Sequence, residues 1–513
     1  MHTYIGVDIG TTSTKTLLYD DNVNIMASTT DFYPLLNNLP DMAEERPDEI
    51  FNAVLSGIKT VLNEGKVDSK GVAAVSFSVQ QHSLMAVDGD GNPLTNLLTW
   101  ADNRSEKIVS NLKRDNPALA KELYTRTGVP THPMAPIFKL KWLKEASPEI
   151  FKAAKYWVGI KEYILFRLFG EWISDYSVSS STGFLNLKNL DWDPIALNWV
   201  GITKEQLPRL TSSTDSITGL KPEFASELGL DSQTPFVLGA SDGALSNVGV
   251  GAITDDTLAV SIGTSAAIRS IVDHPLIDEK GRVYCYPLIP NKKWIIGGPI
   301  NNGGVIFRWL RDRIFDDLKE KNLDIDLYDY LTGLAGDVPA GANGLIFLPY
   351  LEGERAPIWD ANARGSFFGL NESHSRKEMT RAVLEGIIYN IYSVMLSMRE
   401  VTGNIDNIMA TGGFARSELW CQMMADIFEA NVKVPEAFES GTLAAVILAK
   451  ISLGEAEDLS EVKKHIGAVK TYAPNPDSFP RYRELMDIFI SVTRNLSDDF
   501  QSISDYQRKY QNL

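Results

Sequence analysis

Two stretches of this chain, one at its start and one at its middle, carry the same pattern. Residues 4–20 read YIGVDIGTTSTKTLLYD and residues 258–273 read LAVSIGTSAAIRSIVD. Each holds an apolar run, an Ile-Gly-Thr turn rich in small hydroxylated residues, a basic residue at a corresponding place (Lys15, Arg269) and a second apolar run. Apolar runs on either side of a tight turn predict a β-hairpin. One hairpin used twice predicts two domains of related core topology meeting near residues 245–255, the first over 1–248 and the second over 249–513. Length agrees, because 513 residues exceed the ~250–300 over which a single core usually grows.

The rest of the chain alternates strand and helix signals. Apolar runs at 72–79, 236–240 and 405–410 predict strands. Helical spacing of apolar positions predicts helices at 47–62, 378–398, 418–430, 442–450 and 481–500. Strands alternating with helices predict an α/β fold.

Bulk properties exclude several classes. A formal net charge of −17 repels phosphate backbones and anionic lipid, so neither nucleic acid nor a membrane surface is an expected partner. No apolar stretch reaches the ~18 residues a membrane span needs. No signal peptide opens the chain, because Asp8 interrupts the first apolar run. Two isolated cysteines, Cys285 and Cys421, predict buried thiols in a reducing compartment, hence a cytoplasmic protein.

The chemistry points to phosphate. There is no GxxxxGK[ST] and no GxGxxG opening a helix. The hairpin turns offer another cradle: Gly10, Thr11 and Thr12, and again Gly263, Thr264 and Ser265, present backbone N–H groups and hydroxyls free of bulk. Two such turns, facing each other, could clamp a nucleotide between two domains. Asp8 stands beside the first turn, where Mg²⁺ would take a carboxylate plus phosphate oxygens and water; the second copy has Ser261 there. Asp242 follows the strand at 236–240, where α/β folds place chemistry, and could receive the proton of an attacking hydroxyl. A helix N-cap is the plainer role for Ser241 or Asp242. Gly412 and Gly413, between a strand and a helix, could let adenine lie flat on backbone. Gln81, His82, Asp102, Asn103 and Arg104 supply donors and acceptors for a polyhydroxy ligand. Gly239-Ala240-Ser241-Asp242-Gly243 also fits GxSxG, which would make Ser241 a hydrolase nucleophile with His274, His374 or His465 as partner. That alternative leaves both Gly-Thr turns unexplained. A nucleotide-switch or sugar-sensing regulator is a further alternative, but the expected DNA-binding segment has no room before the first strand.

Along essentially its whole length the chain resembles the FGGY carbohydrate kinases, within the actin, Hsp70 and hexokinase-like superfamily. VDIGTT (7–12) looks like the first phosphate motif, SIGTS (261–265) the second and TGGF (411–414) the adenosine motif. MAPIFKLKWLKE (134–145) and GSFFGLNESHSRKEMTRAVLE (365–385) look like the two family signatures. The resemblance implies two actin-like (ribonuclease H-like) α/β domains with a ligand cleft between them, binding ATP, Mg²⁺ and a sugar or polyol. It assigns Asp242 the catalytic-base place, Asp8 the Mg²⁺-linked place and Thr264 the γ-phosphate side. Gly412 and Gly413 take the adenosine place with Gly304 nearby, while Gln81, His82, Asp102 and Arg104 fall in sugar-binding segments. THPM (131–134), WADNRS (100–105) and GASDGAL (239–245) look most like the family's gluconate kinases. D-gluconate is thus the expected substrate and D-xylulose the alternative, although xylulose kinases typically carry Met-His where Gln81-His82 stands. The expected partner is the small sugar or sugar-acid substrate, and a homodimer is compatible with the resemblance.

Overall fold

The computed structural model describes residues 2–39, 41–68, 71–318, 325–403, 405–436 and 439–510. The chain forms two compact units assembled from interleaved segments. The first comprises Met1–Ile253, Ile271–Ile295 and Glu439–Ile466, and the second Thr254–Ser270, Ile296–Phe438 and Gly467–Leu513. A single cut at 248/249 therefore does not coincide with the units, because 271–295 and 439–466 return to the first.

In the first unit six strands lie in the order Ser216–Ile217, Phe236–Ser241, Val72–Val79, Thr3–Ile9, Ser13–Tyr19, Ile25–Phe32. Thr3–Ile9 pairs antiparallel with Ser13–Tyr19 and parallel with Val72–Val79, which pairs parallel with Phe236–Ser241. Period-2 alternation sorts the first strand's side chains onto two faces. Ile5, Val7 and Ile9 join the core that includes Ile50, Val54 and Ile58 of the helix Pro47–Gly65. Tyr4 joins the opposite core with Leu443, Val446, Ile447 and Leu448 of the helix Ser440–Ser452. Burying each of those four aliphatic side chains contributes about 1.5–3 kcal/mol. This helix comes close because its first turn is small and so is the strand beneath: a Cβ on Gly6 would stand 2.9 Å from the Thr442 carbonyl oxygen. The same alternation puts Asp8 on this face, two residues beyond Gly6.

The second unit repeats the plan. Thr257–Ile262 pairs antiparallel with Ala266–Val272 and parallel with Asn407–Gly412. Asn407–Gly412 pairs parallel with Asn431–Pro435, which ends against the antiparallel strand Val469–Tyr472. In the first unit Phe236–Ser241 likewise ends against antiparallel Ser216–Ile217. The duplication read from two hairpins thus extends over five strands. One detail differs from expectation. Ile9 pairs with Thr14, but Ile262 pairs with Ala266, so the second turn is one residue shorter. Lys15 consequently lies opposite Asp8, whereas Arg269 lies opposite Ala259, and the two basic residues are not counterparts.

The helix Arg376–Thr402 starts at a capping box in which Ser375 N–H and hydroxyl both donate to Glu378. The helix expected over 481–500 is two, Phe479–Asn495 and Ser497–Tyr510, with Leu496 between them. Cys285 and Cys421 are free and buried. Among the described residues no helix is long and apolar enough to cross a membrane.

Candidate active site

Parallel strands in register end at one edge, and this gathers the candidate residues of each unit. In the first unit Ile9 and Ser241 both pair with Val79. Gly10-Thr11-Thr12, Gln81-His82 and Asp242 therefore leave the sheet side by side.

At the first turn Gly10 N donates to Ser13 O at 3.0 Å. Thr11 Oγ1 donates to Gln80 Oε1 at 3.2 Å and accepts from Trp100 Nε1 at 3.0 Å, and Thr12 is exposed. Asp8 accepts from Ser78 Oγ at 2.5 Å. Gly441 closes over both: a Cβ there would lie 3.3 Å from Asp8 Oδ1 and from Ser78 Oγ. Burial raises the Asp8 carboxyl above its ordinary range, the Ser78 bond lowers it, and Glu439 and Lys15 act in opposite directions. Lys15 Nζ is itself paired with Glu439 at 2.5 Å. A carboxylate beside a second acid and a Gly-Thr turn suits a Mg²⁺ ion held mainly by phosphate and water. Among the described residues no cluster of three or more His, Cys, Asp or Glu could hold a metal by itself.

Asp242 opens the helix Asp242–Gly249 directly after its strand and is half-buried, with Gly243 N donating to its Oδ1 at 2.6 Å. Ser241 is wholly buried, and its hydroxyl lies 3.0 Å from Ser177 Oγ. No substrate carbonyl can reach it there, so the GxSxG alternative loses its nucleophile.

The proposed sugar segments are tied together by a residue the sequence reading did not single out. Lys139, within the first signature, is wholly buried, and its ammonium donates to the carbonyls of His82 (3.1 Å) and Thr99. Burial pushes Lys139 down to about 7. His82 takes a left-handed backbone (φ 63°), and its Nδ1 is 2.8 Å from Ser181 O; Gln81 beside it is half-buried. Asp102 is wholly buried, with its oxygens engaged by Ala43 N and Arg104. Arg104 also bonds Glu44 at 2.5 Å and lies over the Trp142 ring at 4.5 Å. Two carboxylates and an aromatic face already engage this guanidinium.

In the second unit a cavity of about 810 Å³ is lined by Gly263, Thr264, Gly304 and Gly413. Phe307, Tyr328 and Trp420 form an aromatic wall, and Arg308 and Arg416 supply cations. The cavity suits a purine nucleotide in size, in its flat apolar wall and in its glycine-lined backbone. Gly304 N donates to Gly263 O at 2.8 Å and Val305 N to Thr264 O at 3.0 Å, which fixes the turn. Ser265 lies just beyond, its backbone against Gly303. Gly412 has φ 99°, and a Cβ there would meet Ile262 O at 2.3 Å, so only glycine fits. Gly413 next to it faces open space. The aromatic wall was not anticipated, because its members come from separate helices and share no motif.

A duplicated α/β sheet with a Gly-Thr turn at the same edge of each copy defines the two-domain actin-like class of fold. The chain belongs to the FGGY family of carbohydrate kinases: residues 3–249 match the family's N-terminal domain and residues 258–453 its C-terminal domain. It is 47% identical to gluconokinase of Bacillus subtilis over 98% of each chain, and 28% identical to xylulose kinase of the same organism over 98% and 99%. Two solved structures from Lactobacillus acidophilus are each 44% identical. One, titled a ligand-bound xylulose kinase, has a TM-score of 0.93 over 98% of this chain and 100% of the other. The other, titled gluconate kinase, has a TM-score of 0.92 over 98% and 99%.

Proposed function

We propose that the chain phosphorylates D-gluconate to 6-phospho-D-gluconate with ATP and Mg²⁺. The observation that carries the substrate is the full-length identity to a gluconokinase, 47% against 28% for xylulose kinase. In the second unit, the cavity lined by Gly263, Thr264, Gly304 and Gly413, with Ser265 and Gly412 next to it in the chain, holds the nucleotide. Its aromatic wall takes the base and the turn amides take phosphate oxygens. In the first unit, Gly10, Thr11 and Thr12 present further amides to phosphate, and Asp8 would hold Mg²⁺. When bound, Mg²⁺ would supply positive charge to offset that of the phosphates. Asp242 accepts the proton of the attacking hydroxyl, placed for this by its position at the strand end. Gln81 and His82 meet the sugar acid's hydroxyls, while Asp102, Arg104 and Lys139 hold the segments that carry them.

Asp242→Asn is expected to lower kcat by ~10²–10⁴-fold, the usual scale for a lost general base, while a non-hydrolysable ATP analogue still binds. Wild-type turnover in that variant would refute the assignment. The 44% identity to a structure titled xylulose kinase makes D-xylulose the second substrate to test. Comparing kcat/KM for D-gluconate, D-xylulose, glycerol and L-ribulose decides between them. A preference for any neutral sugar overturns gluconate and leaves carbohydrate kinase standing.

A further inference from the structure

An acid that none of the foregoing uses lies behind the first Gly-Thr turn. Glu45 belongs to the two-residue strand Glu44–Glu45, which pairs with Leu97–Leu98. It is 0% exposed. Its Oε2 accepts from Gln80 Nε2 at 2.7 Å, and its Oε1 has no hydrogen-bond partner among the described residues. Such a group is costly to keep in a core unless it serves something.

What it serves is the orientation of one amide. Gln80 is 1% exposed and sits directly after the strand Val72–Val79. Its Nε2 also reaches Gly10 O at 3.4 Å, and its Oε1 accepts from Thr11 Oγ1 at 3.2 Å. The two ends of an amide are not interchangeable. An acceptor at position 45 draws Nε2 toward itself and leaves Oε1 for the Thr11 hydroxyl. In the flipped amide, Oε1 would face the Gly10 carbonyl, acceptor against acceptor, and Nε2 would turn to the Thr11 hydroxyl. Tyr33 hydroxyl completes the support by donating to Gly10 O at 2.7 Å. The base of this arrangement is itself anchored. Neighbouring strand residues point to opposite sides, and Glu44 bonds Arg104 at 2.5 Å and Asn96 at 2.9 Å, while Ala43 N donates to Asp102 at 3.1 Å.

We infer that Glu45 is a positioning residue for the first phosphate turn, holding the Gln80 amide so that Gly10 and Thr11 keep the conformation that receives the nucleotide. This rests on Gly10, Thr11 and Thr12 contacting phosphate, as proposed above.

The test uses the full chain and measures the Kd of a non-hydrolysable ATP analogue with Mg²⁺ by calorimetry, together with KM for ATP and for D-gluconate. Glu45→Leu removes the acceptor and is expected to weaken analogue binding about tenfold, the scale of one lost buried hydrogen bond. It should raise the ATP KM by the same factor and leave the gluconate KM in place. Glu45→Gln keeps an acceptor and is expected to restore most of the loss. Gln80→Met is expected to match Glu45→Leu, and the double variant to be no worse than either single, because the two act in series. Should Glu45→Leu not fold, Gln80→Met with Glu45→Gln carries the same comparison. Wild-type analogue affinity in Glu45→Leu or Gln80→Met, equal losses for ATP and gluconate, or additive losses in the double variant would each overturn the inference. A wild-type protein that does not bind the analogue would instead refute the phosphate-turn assignment.

Discussion

Gly304→Ala isolates what the second turn contributes to nucleotide binding. The added Cβ would stand 2.5 Å from Gly263 O, well inside an ordinary contact, so helix and turn must part by about 1 Å. That separation stretches the 2.8 Å bond from Gly304 N and the 3.0 Å bond from Val305 N. At about 0.5–1.5 kcal/mol net for each bond, the turn loses about 1–3 kcal/mol of support, or about 5–150-fold in affinity if binding must restore it. Gly304 is not among the left-handed glycines, so alanine adds no backbone strain, and any fall in stability should not exceed the same about 1–3 kcal/mol. Calorimetry with a non-hydrolysable ATP analogue should show the loss, with the gluconate KM unchanged. Gly333→Ala is the control: it lies in the helix Leu327–Gly336, and nothing is within 4 Å of its added Cβ. An unchanged Kd in Gly304→Ala, or an equal loss of affinity in Gly333→Ala, would refute the reasoning.

Burial pushes Glu45 up to about 8 from 4.5, so between those values the native state keeps a proton that the unfolded chain has released. Stability is therefore lost as pH rises through this window and levels off above it. Glu45→Gln lacks this loss and should gain on the wild type by on the order of 3–5 kcal/mol between about pH 5 and 9 in urea melts; parallel profiles would refute this. Lys139 has the opposite sign: its native value of about 7 lies below 10.5, so its contribution rises with pH across that interval. Lys139→Met removes this rise and takes the ammonium away from the His82 and Thr99 carbonyls. It should raise the sugar KM about tenfold with the ATP KM constant, whereas equal changes in both would count against a role in the sugar segments. Arg104→Ala should lower kcat/KM for D-gluconate and for a neutral sugar by the same factor, because Asp102 and Glu44 already engage the guanidinium. A loss confined to gluconate would show that Arg104 grips the carboxylate.

The residues legible in the sequence are those whose role follows from local chain geometry. Gly-Thr turns, Asp242 after an apolar strand and Gly412-Gly413 before a helix are all marked within a few positions, and each does end a strand at the edge expected. The residues that escaped notice act through distant partners. Lys139 reads as one basic residue of a helix until its ammonium is seen between two carbonyls. Glu45 reads as part of an acidic run until Gln80 is found beside it, and Asp8 meets Gly441 only because the chain returns. The single helix expected over 481–500 divides at Leu496, since an amphipathic pattern does not record where one helix face gives way to the next.

The return of Glu439–Ile466 to the first unit also sets an order of events during synthesis. Domains generally fold as units while the chain emerges. Here one face of the first sheet, with Tyr4, Leu17, Ala74 and Val237, awaits the helix Ser440–Ser452. The ribosome must translate the greater part of the second unit before that helix appears. For all that time the amino-terminal sheet holds an apolar face without its cover, and the Asp8 carboxylate is without Gly441 above it. The first unit to begin folding thus cannot finish until nearly the whole chain has been made.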